Sequence, residues 1–201
     1  NFNTSGETVI DGDDIEWMLA QVKEPKYRTG FDRNFWIWEE YDPTCNYLMV
    51  ADVARGDGED FSTFHIIELE TLSVIAEYQG KPNPDMFSAM LNQTGREFGS
   101  CMLVVENNNI GYTVLDKLAE YQYPNLYYSI KSTHEYINQH QAEIINSSVA
   151  GFSTSMKTRP LIIAKLEEFV RNKLIKIYSA RTINEMRTFI WKNGKPQAMR
   201  G

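Results

Sequence analysis

The sequence predicts an α/β domain whose mixed sheet begins with an antiparallel three-strand meander, continues with parallel strands and carries helices on both faces. Residues 47–53, 61–69 and 72–79 are apolar, strand-like runs separated by short turn segments, and consecutive strands of this kind pair antiparallel. Strand-like and helix-like segments alternate further along the chain, which is typical of parallel strands joined by helices. A chain of 201 residues, 42% of them hydrophobic, is long enough to bury one such core.

The elements that follow the meander each have a local signal. Pro84 opens a helix whose apolar residues recur about every 3.6 positions. The run CMLVVE at residues 101–106 is short and almost wholly apolar, which predicts a strand covered on both faces. Asn109 can cap the next helix, and residues 126–130 predict another strand.

The last part of the chain adds a helix, a short strand and a hairpin. Pro160 fits the first turn of the helix, because its missing amide hydrogen costs nothing there. Residues 175–178 predict a short edge strand. The pair Asn193-Gly194 predicts a tight hairpin turn, since both residues tolerate a positive φ.

Residues 1–40 differ from the rest of the chain. Asp11, Asp13 and Asp14 precede a short amphipathic segment that ends before Pro25, and an aromatic stretch follows. We expect residues 1–40 to form a connecting arm that docks on a neighbouring part of the protein, and residues 41–201 to form the domain itself.

Charge is unevenly distributed along the chain. The net charge is −7, yet residues 151–201 hold eleven Lys and Arg against three Asp and Glu. Such a basic segment predicts either a polyanion-binding face or a solvated helix surface. Two cysteines are too few for a disulfide scaffold and indicate a reducing compartment, and no apolar run approaches the ~20 residues of a membrane helix.

Two carboxylates stand where predicted strands end, Asp52 after YLMVA and Glu106 after CMLVV. Ligands of mixed α/β sheets bind beyond the carboxyl ends of parallel strands, and neighbouring strands about 5 Å apart would bring both side chains to one site. Carboxylates so close repel each other, and Mg²⁺ or Mn²⁺ with oxygen ligands relieves that repulsion. A pair of such ions can activate water and hold the leaving oxygen of a phosphodiester, so we predict a metal-dependent catalytic site at Asp52 and Glu106.

Simpler interpretations of these residues stay open. Asp or Glu at a strand end often caps a turn or a helix, and the loop ARGDGED is also ordinary turn chemistry. Asp60, at the start of the next strand, is either a further metal ligand or a structural residue. His65 is expected to be structural, and neither cysteine has a partner that suggests zinc.

Four segments, in order, resemble the C-terminal nuclease domain of the tailed-phage terminase large subunit. They are YLMVADVARGDGEDFSTF, CMLVVENNNIGYTVLDKLAEY, GFSTSMKTRPLIIAKLEEFV and EMRTFIWKNGKPQAMRG, within about residues 45–201. The resemblance implies a ribonuclease H-like fold and an endonuclease with two Mg²⁺ or Mn²⁺ ions that cuts concatemeric double-stranded viral DNA when packaging starts and ends. It also implies that residues 1–40 are a connector from a preceding ATPase domain and that residues 41–201 are a nuclease domain cut short at its C-terminal end.

The family binds its metal ions through three acids. Asp52 is similar to the first and Glu106 to the second, and the third is expected in an Asp-Asp pair beyond Gly201. We predict that Arg55, Lys157 and Arg159, in loops expected near the cleft, contact the DNA backbone. The implied partners are double-stranded DNA, the portal ring, the terminase small subunit and the ATPase domain of the same polypeptide, in the host cytoplasm and with no membrane.

Three other functions stay open at this point. A DNA-gripping translocation module with little cleavage of its own would keep the fold. A transposase or Holliday-junction resolvase relative would share the metal chemistry. A sugar-kinase or actin-like nucleotide-binding domain would need a second glycine-rich phosphate loop, which the sequence does not show.

Overall fold

The structure of the chain is a computed structural model, and it describes residues 7–56, 58–108, 110–130 and 148–199. The described helices are α1 (Gly12–Leu19), α2 (Pro84–Glu97), α3 (Gly111–Glu120), α4 (Thr158–Arg171) and α5 (Ala180–Arg187). The described strands are β1 (Tyr27–Thr29), β2 (Phe35–Ile37), β3 (Tyr47–Asp52), β4 (Ser62–Glu68), β5 (Ser73–Gly80), β6 (Met102–Val105), β7 (Tyr128–Ile130), β8 (Ser148–Ala150), β9 (Lys176–Ile177), β10 (Phe189–Lys192) and β11 (Lys195–Ala198). None of the described helices is long and apolar enough to cross a lipid bilayer.

Seven of the described strands form the main sheet, in the order β1-β2-β5-β4-β3-β6, with β9 beside the start of β5. The predicted meander is confirmed, because β3, β4 and β5 pair antiparallel in sequence order. β6 pairs with β3 in parallel, as predicted for a strand reached through a helix. The terminal hairpin of β10 and β11 is also confirmed, and it turns on Asn193 and Gly194, which have φ angles of 52° and 69°.

Two hydrophobic cores cover the two faces of this sheet. On one face α2 and α3 pack on the central strands, and Phe64, Phe87 and Leu118 have no exposed surface there. On the other face α1, α4 and α5 surround a smaller core that includes Met18 and Val170. The predicted fold class, a mixed sheet with helices on both faces, is therefore confirmed.

The strand β6 is fully covered on only one face. Val105 has no exposed surface, whereas Met102 is 42% exposed and Val104 is partly buried. The prediction that residues 101–106 are covered on both faces was wrong. A groove of about 470 Å³ lies between this half of the sheet and Ile162 of α4, so the second face stays partly open.

The segment predicted as a connecting arm contributes strands to the sheet. β2 pairs antiparallel with β5, and β1 pairs with β2. Nearer the N-terminus, Thr8 forms a bridge with Ile190 of the terminal hairpin. The division of the chain into an arm (1–40) and a nuclease domain (41–201) stays a prediction.

Two local predictions differ from the structure in detail. The cap predicted at Asn109 lies outside the described residues, and the described part of α3 begins at Gly111. The strand predicted at residues 126–130 is shorter, since β7 begins at Tyr128 and Leu126 makes only an isolated bridge.

One buried carboxylate ties α5 to the sheet. Glu77 of β5 is 2% exposed and accepts hydrogen bonds from Ser179 (2.8 Å), from Nε of Arg181 (2.7 Å) and from Thr182. Nε2 of His65 lies 3.3 Å from its second oxygen. Burial by itself raises the pKa of Glu77, but the hydrogen bond and charge of His65 and the hydroxyl groups of Thr182 and Ser179 lower it to about 2.

We predict that Glu77 makes the stability of the fold depend on acid pH. Its folded-state pKa of about 2 lies below the ordinary value of 4.5, so the stability it contributes is present above pH 4.5 and is lost as the pH falls toward 2. When Glu77 is fully ionised, this pKa difference adds about 3 kcal/mol to the free energy of unfolding. The free energy of unfolding in urea, measured from pH 7 down to pH 3, should fall more steeply for the wild type than for Glu77→Gln.

The control for this experiment is Glu16→Gln, which changes an exposed glutamate of α1 and should keep the wild-type pH dependence. The same pH dependence in the wild type and in Glu77→Gln would contradict the prediction.

Candidate metal and catalytic site

The parallel pairing of β3 and β6 brings Asp52 and Glu106 together. Ala51 is paired with Val105, and the amide of Glu106 donates a hydrogen bond of 2.9 Å to the carbonyl of Ala51. Asp52 and Glu106 therefore follow paired residues and stand side by side at the carboxyl ends of two parallel strands. The alternation of side chains along a strand places Asp52 on the partly open face, together with Val50.

Both carboxylates line a cavity of about 530 Å³ at the rim of the sheet, together with Arg55, Asp60 and Asn108. Nδ2 of Asn108 donates a hydrogen bond of 2.7 Å to Oε1 of Glu106. This bond limits the orientations that the Glu106 carboxylate can take. The cavity has the size of a small-ligand site and room for a phosphate group beside the acids.

The closeness of the two acids changes the ionisation of Asp52. Asp52 as a whole residue is exposed, but neighbouring protein atoms partly desolvate its carboxylate. This desolvation, followed by the hydrogen bond with Glu106 and the charge of Glu106, raises the pKa of Asp52 from 3.8 to about 6. The site thus holds more negative charge than its surroundings balance, and such perturbed carboxylates in a cavity are typical of functional sites.

The donor set of this site fits a hard divalent cation. Carboxylate oxygens are the ligands that Mg²⁺ and Mn²⁺ prefer, and a cation between Asp52 and Glu106 would remove their repulsion. Asp60 lines the same cavity, but in the described part of the chain the ligand oxygens of these three acids do not all lie within 4.8 Å of one another. The pair alone is therefore the core of the candidate site, and the metal-binding role of Asp60 stays a prediction.

A second group of potential ligands lies elsewhere, and its chemistry argues against a metal. Ligand atoms of Cys45, Glu68 and Glu70 lie within 4.8 Å of one another. Desolvation raises the pKa of the Cys45 thiol, which favours the protonated form that binds metal poorly. Glu70 already accepts hydrogen bonds of 2.8 to 3.0 Å from Asn46. We assign no metal to this group.

Asn107 supports the site, and sequence reasoning did not single it out. It is 1% exposed, its Nδ2 donates to the carbonyl of Ala150 at 2.9 Å, and its Oδ1 accepts from Ser153 at 2.7 Å. Its backbone amide donates to the carbonyl of Phe152 at 2.9 Å. Asn107 thus holds residues 150–153 beside the end of β6. The run of three asparagines after an apolar strand was the available signal.

Two glycines allow other segments to approach the end of β6. A Cβ atom on Gly111 would overlap the carbonyl oxygen of Glu106, so α3 can begin this close to the site only with glycine. Gly151 has a φ of 81°, and a Cβ there would overlap the carbonyl of Val105. The local backbone is therefore built around the two strand ends that carry the acids.

The three predicted DNA-contacting cations occupy different places. Arg55 lines the acidic cavity, and Lys157 lines a neighbouring cavity. Arg159 donates a hydrogen bond of 3.3 Å to the carbonyl of Pro196, and its guanidinium lies 5.9 Å from the ring centroid of Phe189. Arg159 therefore contacts the terminal hairpin, and the DNA-binding roles of all three residues stay predictions.

We predict that Asn107→Ala lowers the free energy of unfolding by about 1–3 kcal/mol, because it removes a buried amide that donates to the carbonyl of Ala150 and accepts from Ser153. Urea unfolding measures this change. Asn108→Ala, which removes an exposed amide one position further on, is the matched control and should change stability much less. Equal losses in the two variants would contradict the supporting role of Asn107.

Comparisons with known proteins bear on the fold. No protein-family model matches the chain, and no curated protein is significantly similar to it. The crystal structure of the large terminase nuclease from thermophilic phage G20c superposes with a TM-score of 0.69 at 15% identity, over 97% of this chain and 91% of that one. The G20c nuclease has also been solved with magnesium, cobalt or zinc bound.

A second phage nuclease has a similar structure. The Thermus phage P74-26 large terminase nuclease domain superposes with a TM-score of 0.59 at 16% identity, over 89% of this chain and 79% of that one. Identities this low establish the fold alone. The chain has the ribonuclease H-like fold of large terminase nuclease domains.

Proposed function

We propose that the chain is a divalent-metal-dependent endonuclease that cuts concatemeric double-stranded DNA when viral genome packaging begins and ends. The observation that carries this proposal is the pair of Asp52 and Glu106 at the ends of parallel β3 and β6. The similarity in fold to two phage large terminase nucleases supports it.

Asp52 and Glu106 would hold the metal, Mg²⁺ or Mn²⁺, and a complete site would hold two ions. The raised pKa of Asp52 supports this assignment, since a cation would offset the repulsion that raises it. The G20c nuclease was solved with magnesium bound, which supports a divalent ion in this fold. When bound, such a cation supplies Lewis acidity and positive charge to a phosphodiester.

The residues of the chain itself bind and orient the reactants. Glu106, held by Asn108, accepts a hydrogen bond from the attacking water and so orients it toward the phosphorus. Arg55 in the acidic cavity and Lys157 in the next cavity contact backbone phosphates. Contacts to phosphates carry little sequence information, so we propose cleavage that depends weakly on sequence.

The proposed setting is the packaging motor of a virus. By resemblance, the partners are double-stranded DNA, the ATPase domain of the same polypeptide, the terminase small subunit and the portal ring. Residues 1–40 would then connect the nuclease to the ATPase domain in the host cytoplasm. The supporting observation is that the similar structures are nucleases of large terminases.

We predict that the wild-type protein, extended past Gly201 to include the expected third acid, linearises supercoiled plasmid in Mg²⁺ or Mn²⁺, and that Asp52→Asn and Glu106→Gln each slow this cleavage at least about 100-fold. Loss of a residue that supports a metal ligand typically lowers metal affinity or activity 10- to 100-fold, and loss of the metal ligand itself lowers activity further. Gel electrophoresis of a time course measures the rate, and circular dichroism checks that the variants fold.

The matched control for cleavage is Asp116→Asn, an exposed aspartate of α3 that does not line the acidic cavity. It should cut at the wild-type rate. Unchanged cleavage in both Asp52→Asn and Glu106→Gln would refute the site. DNA binding without cleavage by the wild type would instead favour a DNA-gripping module.

We also predict a metal effect on stability that does not depend on cleavage. In EDTA, Asp52→Asn should melt about 2–4 °C above the wild type, because it removes a like-charge contact worth on the order of 1 kcal/mol. Millimolar Mn²⁺ should raise the Tm of the wild type but not that of Asp52→Asn. Calorimetry measures both changes, and equal Mn²⁺ shifts in the two proteins would contradict the predicted ligand.

A further inference from the structure

A cavity of about 870 Å³ beside Lys157 is lined by aromatic rings that the proposed catalysis does not use. It is lined by Tyr112 of α3, by Tyr127 just before β7, by Tyr128 at the start of β7, and by Phe152 and Lys157. We call this cavity the tyrosine cleft. Tyr112 is 49% exposed and Tyr128 is 53% exposed, so large ring surfaces face solvent. Clustered exposed rings of this kind mark surfaces that bind a ligand or a partner.

The tyrosine cleft shares lining residues with the groove beside the candidate catalytic site. Tyr127 and Phe152 also line the groove of about 470 Å³ that Asp52 and Glu106 border. Phe152 forms a parallel bridge with Glu106, and its amide donates a hydrogen bond of 2.8 Å to the carbonyl of Val105. Tyr127 and Phe152 thus border both cavities, which places aromatic rings beside a ligand held at the two acids.

The backbone that carries these rings is held on both sides. The amide of Tyr127 donates to the carbonyl of Leu103 in β6 at 2.9 Å, and the carbonyl of Tyr127 accepts from the amide of Gly151 at 2.8 Å. Tyr128 pairs with Ala150 of β8. Rings on an anchored backbone lose little freedom when a ligand stacks on them, which favours binding.

The lining of the cleft matches the chemistry of a nucleotide. Tyrosine rings stack on nucleobases with little dependence on sequence. Lys157 offers a cation to a phosphate, and the hydroxyl oxygen of Ser153, whose hydrogen is donated to Asn107, can still accept a hydrogen bond from a base edge. The presence of a lysine and several hydroxyl groups favours a polar, anionic ligand over an apolar protein segment.

We propose that the tyrosine cleft holds an unpaired nucleotide of the DNA strand, next to the phosphodiester at the two acids. This inference rests on the proposed function, because it takes the ligand of the catalytic site to be DNA. A base that leaves the duplex stacks on Tyr112 or Tyr128, and its phosphate lies near Lys157. The protein therefore prefers DNA that is open or frayed beside the site over a fully paired duplex.

The test is equilibrium binding in EDTA, where no cleavage occurs. Fluorescence anisotropy compares one blunt duplex with the same duplex that carries a few unpaired thymidines at one end, and with a duplex whose unpaired end is abasic. All titrations use the same salt concentration, because phosphate contacts depend strongly on ionic strength. We expect the wild type to bind the thymidine-tailed duplex about tenfold more tightly than the other two, the size of one stacked base.

Variants of the rings decide whether the tyrosine cleft is responsible. Tyr112→Ala combined with Tyr128→Ala should bind all three duplexes equally, whereas the corresponding double change to Phe should keep the preference because the rings remain. Tyr121→Ala is the matched control, since Tyr121 is 39% exposed at the end of α3 and does not line the cleft. It should bind like the wild type.

The possible failures are distinguishable. Equal affinity of the wild type for blunt, thymidine-tailed and abasic duplexes would overturn the inference and leave the proposed nuclease function standing. The inference would also be overturned if the double Ala variant still bound the thymidine-tailed duplex more tightly than the blunt one. The same holds if the wild type bound the abasic-tailed duplex as tightly as the thymidine-tailed one. If the wild type binds no duplex at all, the proposed function fails, and this inference fails with it.

Discussion

The hydrogen-bonded pairing of β3 and β6 in parallel is the constraint on which the rest of the site depends. It ends with the bond from the amide of Glu106 to the carbonyl of Ala51, and it therefore forces two acids into adjacent positions at one rim of the sheet. Isolated in water, two such carboxylates would move apart. Here the strand pairing and the core beneath it hold them together, and the pKa of Asp52 rises to about 6 as a result.

The two faces of the sheet serve different purposes. The face under α2 and α3 is closed by fully buried residues such as Phe64 and Leu103, and it provides the packing that holds the strands in register. The other face is covered by helices over β4 and β5, where Glu77 binds the start of α5, and it is open beside β3 and β6. A ligand can approach the acids from that open side. One face of the sheet thus provides the packing that stabilises the fold, and the other leaves the two acids accessible to a ligand.

Irregular segments complete the site at the end of β6. Asn107 holds residues 150–153 beside the strand, and the glycines at 111 and 151 permit backbone contacts that a side chain would block. The same segment carries Phe152 to a position between the acids and the tyrosine cleft. A few backbone hydrogen bonds therefore place Phe152 where it lines both the groove beside the two acids and the tyrosine cleft.

The sequence by itself determined the local elements and the two residues at the centre of the site. Apolar, strand-like runs separated by short turns predicted the meander of β3 to β5, Asn193-Gly194 predicted the hairpin turn, and an acid after each of two apolar runs indicated Asp52 and Glu106. Such signals lie within a few residues of one another, so they can be recognised without knowledge of the rest of the fold. The resemblance of four segments to terminase nucleases indicated the ribonuclease H-like fold.

Only the tertiary structure decided which distant residues meet. It placed β2 beside β5, left one face of β6 partly open, buried Glu77 against α5, joined Arg159 to the hairpin and assembled the tyrosine cleft from three separate segments. None of these contacts has a local signature, because each joins residues far apart in the chain. They depend on how whole elements pack, and packing is a property of the complete core.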